Sequence, residues 1–162
     1  MKMWEPTECP GTEELKDRLQ TAREKLARQQ MLLKEKKLPV LVLMEGWGTA
    51  GKGNCIGRVI QNIDPRFFNV ESLEKKTEEE KRFLYRYFKR LPEAGKFAFF
   101  DSGWMDETVQ EKLSGDLTEK TYADRIESIR RFERQLTDNG YLVMKFFLHI
   151  SEKEQEKRME VL

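Results

Sequence analysis

Histidine and cysteine are nearly missing from this chain: His149 stands alone, and Cys9 and Cys55 are the two thiols. One imidazole does not make a metal site by itself, and two cysteines with neither metal spacing nor a framework pattern read as free thiols suited to a reducing compartment. Net charge is nearly missing too, because 30 basic and 29 acidic residues leave +1. No bulk attraction to nucleic acid or to a membrane is expected from that balance, although local basic patches survive it. Apolar runs of bilayer length are absent, and the opening "MKMWEPTECP" is polar and proline-broken, unlike a signal peptide. Repeats and low-complexity tracts are absent as well. A chain of 162 residues with these features is expected to be one soluble, cytoplasmic domain.

What is present is an alternation of apolar strands and amphipathic helices. Residues 12–37 carry Leu15, Leu19, Ala22, Leu26 and Leu33 at roughly helical spacing, which predicts a leader helix with one narrow apolar stripe, stopped by Pro39. "VLVLM" (40–44) has the unbroken apolar character of a strand buried on both faces of a parallel sheet. A glycine-rich turn follows, then Ile56, Val59, Ile60 and Ile63 at helical intervals from Lys52 to Ile63. "NVESL" (69–73) predicts a weaker strand, and 77–91 a helix opening with Thr77 and an acidic first turn. "KFAFF" (96–100) predicts another buried strand closing on Asp101, followed by a loop or short helix to Gly115. A long helix is expected over 118–138, stopped at Asn139-Gly140, and a strand over 141–150. Ser151 with Glu154 then opens a last helix, inside which the sequence stops, so the natural chain is expected to continue or to end in disorder. The pattern predicts an α/β fold, a three-layer α/β/α sandwich with a mostly parallel sheet. Residues 1–37 would be the leader helix packed on the domain, and 38–162 the domain itself.

The turn "EGWGTAGKGNC" (45–55) matches G-x-x-x-x-G-K between a strand and a helix, the setting in which a phosphate-holding loop works. A helix N-terminus offers unpaired N–H groups and the positive end of its dipole to an anion. Gly46, Gly48, Gly51 and Gly53 allow close backbone approach, Thr49, Ala50 and Asn54 complete the cradle, and Lys52 would reach the transferable phosphate. The serine or threonine that ordinarily follows the lysine and holds magnesium is absent, since Gly53 stands there. Asp101, an acid at the carboxyl end of a buried strand, sits at the mouth where such folds bind ligands and is the candidate metal ligand and catalytic carboxylate. Its alternative reading is a turn former for "DSGW".

"EGWGTAGKG", "NIDPRFFNV", "FFDSGW" and "FERQLTDNGYLVMKFFLHISEKEQEKR" together resemble the polyphosphate kinase 2 family over most of residues 38–158. The resemblance implies a thymidylate-kinase-like phosphate-loop kinase fold and magnesium-dependent transfer of phosphoryl groups between polyphosphate and a nucleotide such as AMP or ADP. It also implies an oligomer or a fused second family domain, with neither nucleic acid nor membrane as partner. The family loop has the form G-x-D-x-A-G-K-G, so glycine after the lysine is normal for it and a loop aspartate replaces the hydroxyl. Here Gly48 stands at that aspartate. The family pattern D-R-S-W-Y-N-R reads Asp101, Ser102, Gly103, Trp104, Met105, Asp106, Glu107, so two arginines are replaced by Ser102 and Glu107. Asp106 is a candidate for the lost carboxylate. These losses, with a basic lid expected beyond Leu162, resemble the degenerate first half of a two-domain polyphosphate:AMP phosphotransferase. A catalytically inactive half that supports a fused partner is therefore the alternative to an active phosphotransferase.

Residues 75–90 interleave Lys75, Lys76, Lys81, Arg82, Arg86, Lys89 and Arg90 with Phe83, Tyr85, Tyr87 and Phe88. An amphipathic helix with solvated cations accounts for this better than a polyphosphate track, except at Arg86, which matches a family arginine near the substrate channel. His149 is expected to be a packed or strand-end residue. Trp47 is left between packing on neighbouring elements and packing on a nucleotide.

Overall fold

A computed structural model describes residues 11–73 and 82–160 of the chain. Four strands, β1 (Val40–Gly46), β2 (Phe68–Ser72), β3 (Phe97–Asp101) and β4 (Leu142–Leu148), form one sheet in the order β2-β3-β1-β4, with every pairing parallel. Parallel neighbours need crossovers, and helices α2 (Lys52–Ile60), α3 (Tyr85–Phe88), α4 (Trp104–Leu113) and α5 (Glu119–Asp138) lie in them, while α1 (Thr12–Glu35) precedes β1 and α6 (Glu152–Met159) follows β4.

Side chains on a strand alternate between faces, so "VLVLM" feeds two cores at once. Leu41 and Leu43 join Ala98, Phe100, Tyr87, Trp104, Ile129 and Leu136 on one face, which α3, α4 and α5 cover. Val40, Val42 and Met44 join Phe97, Phe99, Ile56 and Ile63 on the other, where α2 and the second half of α1 pack, the latter through Leu26 and Leu33. Gln30 of α1 is buried and accepts the Asp64 N–H, while Leu15 near the helix start stays exposed. The three-layer α/β/α arrangement and the parallel sheet read from the sequence are both present.

Two expectations change. Among the described residues of the helix expected over 77–91, a single turn, Tyr85–Phe88, is helical, entered through Leu84 in the left-handed region at φ 68°. A non-glycine residue there breaks helical continuity, and burial of Tyr87 and Arg86 against the sheet fixes the turn instead. The expected start at Thr77 lies outside the described residues, as do Cys9, Lys75, Lys76 and Lys81. Helix α2 stops at Ile60, although Ile63 still reaches the core. The segment after Asp101, left between loop and helix, is the helix α4. Strand β4 forms as expected but lies at the sheet edge with Leu142, Met144, Phe146 and Phe147 exposed.

Candidate active site at the carboxyl edge of the sheet

Strand β1 turns into the loop at Gly46, whose φ of 135° only glycine tolerates easily and whose missing Cβ would lie 2.2 Å from the Leu148 carbonyl oxygen. Gly48, Thr49 and Ala50 form the turn, with the Ala50 N–H bonded to the Trp47 carbonyl at 3.2 Å. The Thr49 hydroxyl donates to the Gly48 carbonyl at 2.6 Å. Gly51, at φ 92°, caps α2 without a side-chain bond, and Lys52, Gly53 and Asn54 form the first turn. A helix leaves the N–H groups of that turn without internal partners. The first turns of α1, α4, α5 and α6 each carry acidic residues, whereas that of α2 carries none. The arrangement suits an external anion set on the helix axis.

Helix α6 clasps the loop from outside. The Gln155 side-chain amide donates to the Gly48 carbonyl at 3.2 Å, and Arg158 donates to the Thr49 carbonyl at 3.1 Å. Trp47 packs edge-on against Phe147 and His149, with ring centroids 6.0 and 6.4 Å away, and remains 42% exposed. His149 is exposed just past the end of β4.

Lys52 is folded back over its own loop. Its ammonium donates to the Gly46 carbonyl at 2.8 Å and the Trp47 carbonyl at 3.4 Å, and lies 3.4 Å from Asp106 Oδ2. Asp106, buried in the first turn of α4, also accepts the Gly46 N–H at 3.0 Å. Asp101 closes β3 beside the loop, and a Cβ on Gly53 would sit 3.0 Å from its Oδ2. Glycine after the lysine therefore keeps space around the Asp101 carboxylate, which pairs with no charged or hydrogen-bonding group among the described residues. Ser102, next in the chain, is held in the left-handed region at φ 76° and donates its N–H to the Met44 carbonyl.

A cleft of about 640 Å³ opens beside this edge between β2, β3, α3 and α4. Asp101, Asp106, Glu107 and Glu111 line it with Arg86. The Arg86 guanidinium reaches the cleft but is buried, donates to the Leu73 carbonyl, and lies 3.7 Å from Glu107 Oε2. Glu107 also accepts the Tyr87 hydroxyl at 2.8 Å. Burial raises the Tyr87 phenol above its ordinary range, and the Glu107 charge adds to the effect. Glu111 pairs with Arg125 at 2.7 Å.

The structure thus gathers the loop residues, Lys52 and Asp101 at one edge and puts Arg86 in the adjoining cleft. Gln155 and Arg158 have no local sequence signal, since they meet the loop only through the fold. Glu45 is a missed residue with a readable one, an acid closing a buried strand just as Asp101 does. It is buried, accepts the Met105 N–H at 3.2 Å, and has its pKa pushed up to about 7, chiefly by desolvation. That N–H bond pulls the pKa down and the Asp106 charge pushes it further up.

Comparison with known proteins places this geometry. A family model described as polyphosphate kinase 2 matches residues 11–161. The chain belongs to the polyphosphate kinase 2 family. Among curated relatives, it is 34% identical over 137 residues to an ADP-polyphosphate phosphotransferase 3 of Rhizobium meliloti, covering 83% of this chain and 48% of the relative. It is 32% identical over 143 residues to a polyphosphate:AMP phosphotransferase of Pseudomonas aeruginosa, covering 86% of this chain and 29% of the relative. The chain therefore spans less than half the length of either of these relatives. The crystal structure of a polyphosphate kinase 2 from Arthrobacter aurescens superposes with a TM-score of 0.84 at 29% identity, over 88% of this chain and 53% of the other. The fold is that of the family, a phosphate-loop kinase-like α/β sheet.

Proposed function

We propose that this chain is the phosphate-loop domain of a polyphosphate:nucleotide phosphotransferase, with AMP or ADP as the nucleotide. The observation that carries the reading is the first turn of α2, free of acidic residues, beside Lys52 and an Asp101 carboxylate that has no partner among the described residues. Residues Gly46, Gly48, Thr49, Ala50, Gly51, Lys52, Gly53 and Asn54 would hold phosphate through backbone N–H groups, with the Lys52 ammonium as a movable positive charge. Arg86 would steady polyphosphate at the far side of the cleft.

Asp101 is the residue that would hold Mg2+. Among the described residues its carboxylate has no competing cation, and it has room next to Gly53. Among the described residues no group of three His, Cys, Asp or Glu side chains could hold a metal. Magnesium in phosphate-transfer sites is held by one or two carboxylates together with substrate phosphates and water, so one free acid fits it. When bound, the ion supplies charge neutralisation at phosphate oxygens. The chain's own contribution is to orient phosphates on α2 and to hold Lys52 ready at the loop.

No helix among the described residues is long and apolar enough to cross a membrane. The working assembly is proposed to be a homo-oligomer or a chain with a second family domain. The second reading, a degenerate half that supports a catalytic partner, is favoured by Gly48 in place of the family's loop aspartate and by the acid pairing of both Lys52 and Arg86.

The test is nucleotide formation from polyphosphate and AMP or ADP with magnesium. Turnover that falls by about 100-fold or more in Lys52→Ala is expected for the enzyme. Absence of turnover in a chain that still binds polyphosphate through Lys52 would favour the supporting half. Affinity for single-stranded nucleic acid falling steeply with salt would favour a binding module instead.

A further inference from the structure

Both cations at the candidate site already have an anion. Lys52 faces Asp106 at 3.4 Å with 13% and 9% of the two side chains exposed, and Arg86 faces Glu107 at 3.7 Å with 6% and 12% exposed. The two acids are consecutive in the first turn of α4, where neighbouring side chains diverge around the helix, so one turn reaches two separate cations. Asp106 Oδ1 is held by the Gly46 N–H, and its buried Oδ2 has no hydrogen-bond partner, leaving it to face the lysine. Glu107 is fixed by the Tyr87 hydroxyl. These supports hold the carboxylates beside the cations that a phosphate would seek.

We infer that Asp106 and Glu107 act as built-in anions, occupying Lys52 and Arg86, and that these two acids set how tightly the cleft takes the phosphates of polyphosphate or nucleotide. The inference rests on the phosphate-binding reading above. Among the described residues, four carboxylates and one guanidinium line the cleft, so an entering polyanion meets repulsion as well as competition. Binding therefore requires Lys52 to leave Asp106 and Arg86 to leave Glu107, or a cation to enter alongside the phosphate. Selectivity follows from this. A ligand with many closely spaced phosphates can offset the lost ion pairs, whereas a single phosphate engages only one of the two cations.

The experiment is calorimetric titration of the whole chain with inorganic polyphosphate of defined length, followed by melting of each variant. Asp106→Asn and Glu107→Gln keep size and an acceptor oxygen while removing charge. Each is expected to tighten binding about tenfold, and together by more. The gain from Glu107→Gln should vanish in an Arg86→Gln background and that from Asp106→Asn in a Lys52→Ala background. Gains that persist there reflect bulk charge and overturn the inference. Unchanged or weaker binding by folded variants, with Lys52-dependent binding by the unmodified chain, overturns it while leaving the phosphate-binding reading intact. No binding by the unmodified chain or the double variant overturns both. If Glu107→Gln melts before it can be titrated, Asp106→Asn with its Lys52→Ala control decides.

Discussion

Gly103 precedes α4 without a side chain because the space is taken: a Cβ there would lie 2.3 Å from Glu45 Oε1. Where the family pattern has a serine able to cap its own helix, this chain brings Glu45 from β1 to accept the Met105 N–H of the same first turn. The arrangement has a pH signature. Burial raises the folded-state pKa of Glu45 from 4.5 to about 7, so between those values the folded state holds a proton that the unfolded chain releases. The stability this contributes is present in full below pH 4.5 and is lost as pH rises through about 7. Glu45→Gln is expected to remove that loss, flattening urea stability between acid and alkaline pH by roughly 1–3 kcal/mol. A second residue-scale prediction concerns Gly48, which lies outside the left-handed region and whose Cβ would meet only Gln155 Nε2 at 3.6 Å. Nothing in the backbone demands glycine there. Gly48→Asp is expected to fold with a stability change within about 0.5 kcal/mol and to strengthen magnesium-dependent nucleotide binding, read by melting and titration with and without the ion.

At the scale of elements, local chemistry was readable wherever it was local. Ser151 accepts the Glu154 N–H at 3.3 Å, so α6 starts where its capping residue predicts, and Thr118 accepts the Thr121 N–H at 3.2 Å at the start of α5. Helix α3 was misjudged for the opposite reason. Its aromatic and basic residues have helical spacing, but the buried contacts of Arg86 and Tyr87 and the left-handed Leu84 decide the conformation. Helix α6 shows how an element that is polar except for Met159 acquires a task through its neighbours, since Gln155 and Arg158 hold two carbonyls of the loop after β1. Arg158→Ala is expected to speed amide hydrogen exchange at the loop while lowering global stability by less than about 1 kcal/mol. Exchange measured by mass spectrometry, beside a urea melt, separates the two effects.

For the whole molecule, the two faces of the sheet make unequal demands on sequence. Leu41 and Leu43 are fully buried between layers, so Leu41→Ala is expected to cost about 2–5 kcal/mol in urea unfolding. Met144 on the edge strand is 38% exposed, and Met144→Lys is expected to cost less than about 1 kcal/mol in the same measurement. The contrast follows from sheet order: β1 is flanked by β3 and β4, while β4 has a neighbour on one side only. Apolar composition is nearly the same in the two strands, and only their place in the sheet separates them.

The sequence by itself determined the strand, the glycine loop and the helix that follows it, the acid at the end of β3, and the Ser151 cap of α6. Each rests on periodicity, backbone freedom or a bond within a few residues, and such signals lie along the chain. The tertiary structure alone decided that Lys52 faces Asp106, that Arg86 faces Glu107, that Glu45 caps α4, and that α6 holds the loop. These contacts join residues remote in sequence at distances set by sheet register and helix packing. Ion pairing depends on those few ångströms of separation and on exclusion of water, neither of which residue spacing encodes.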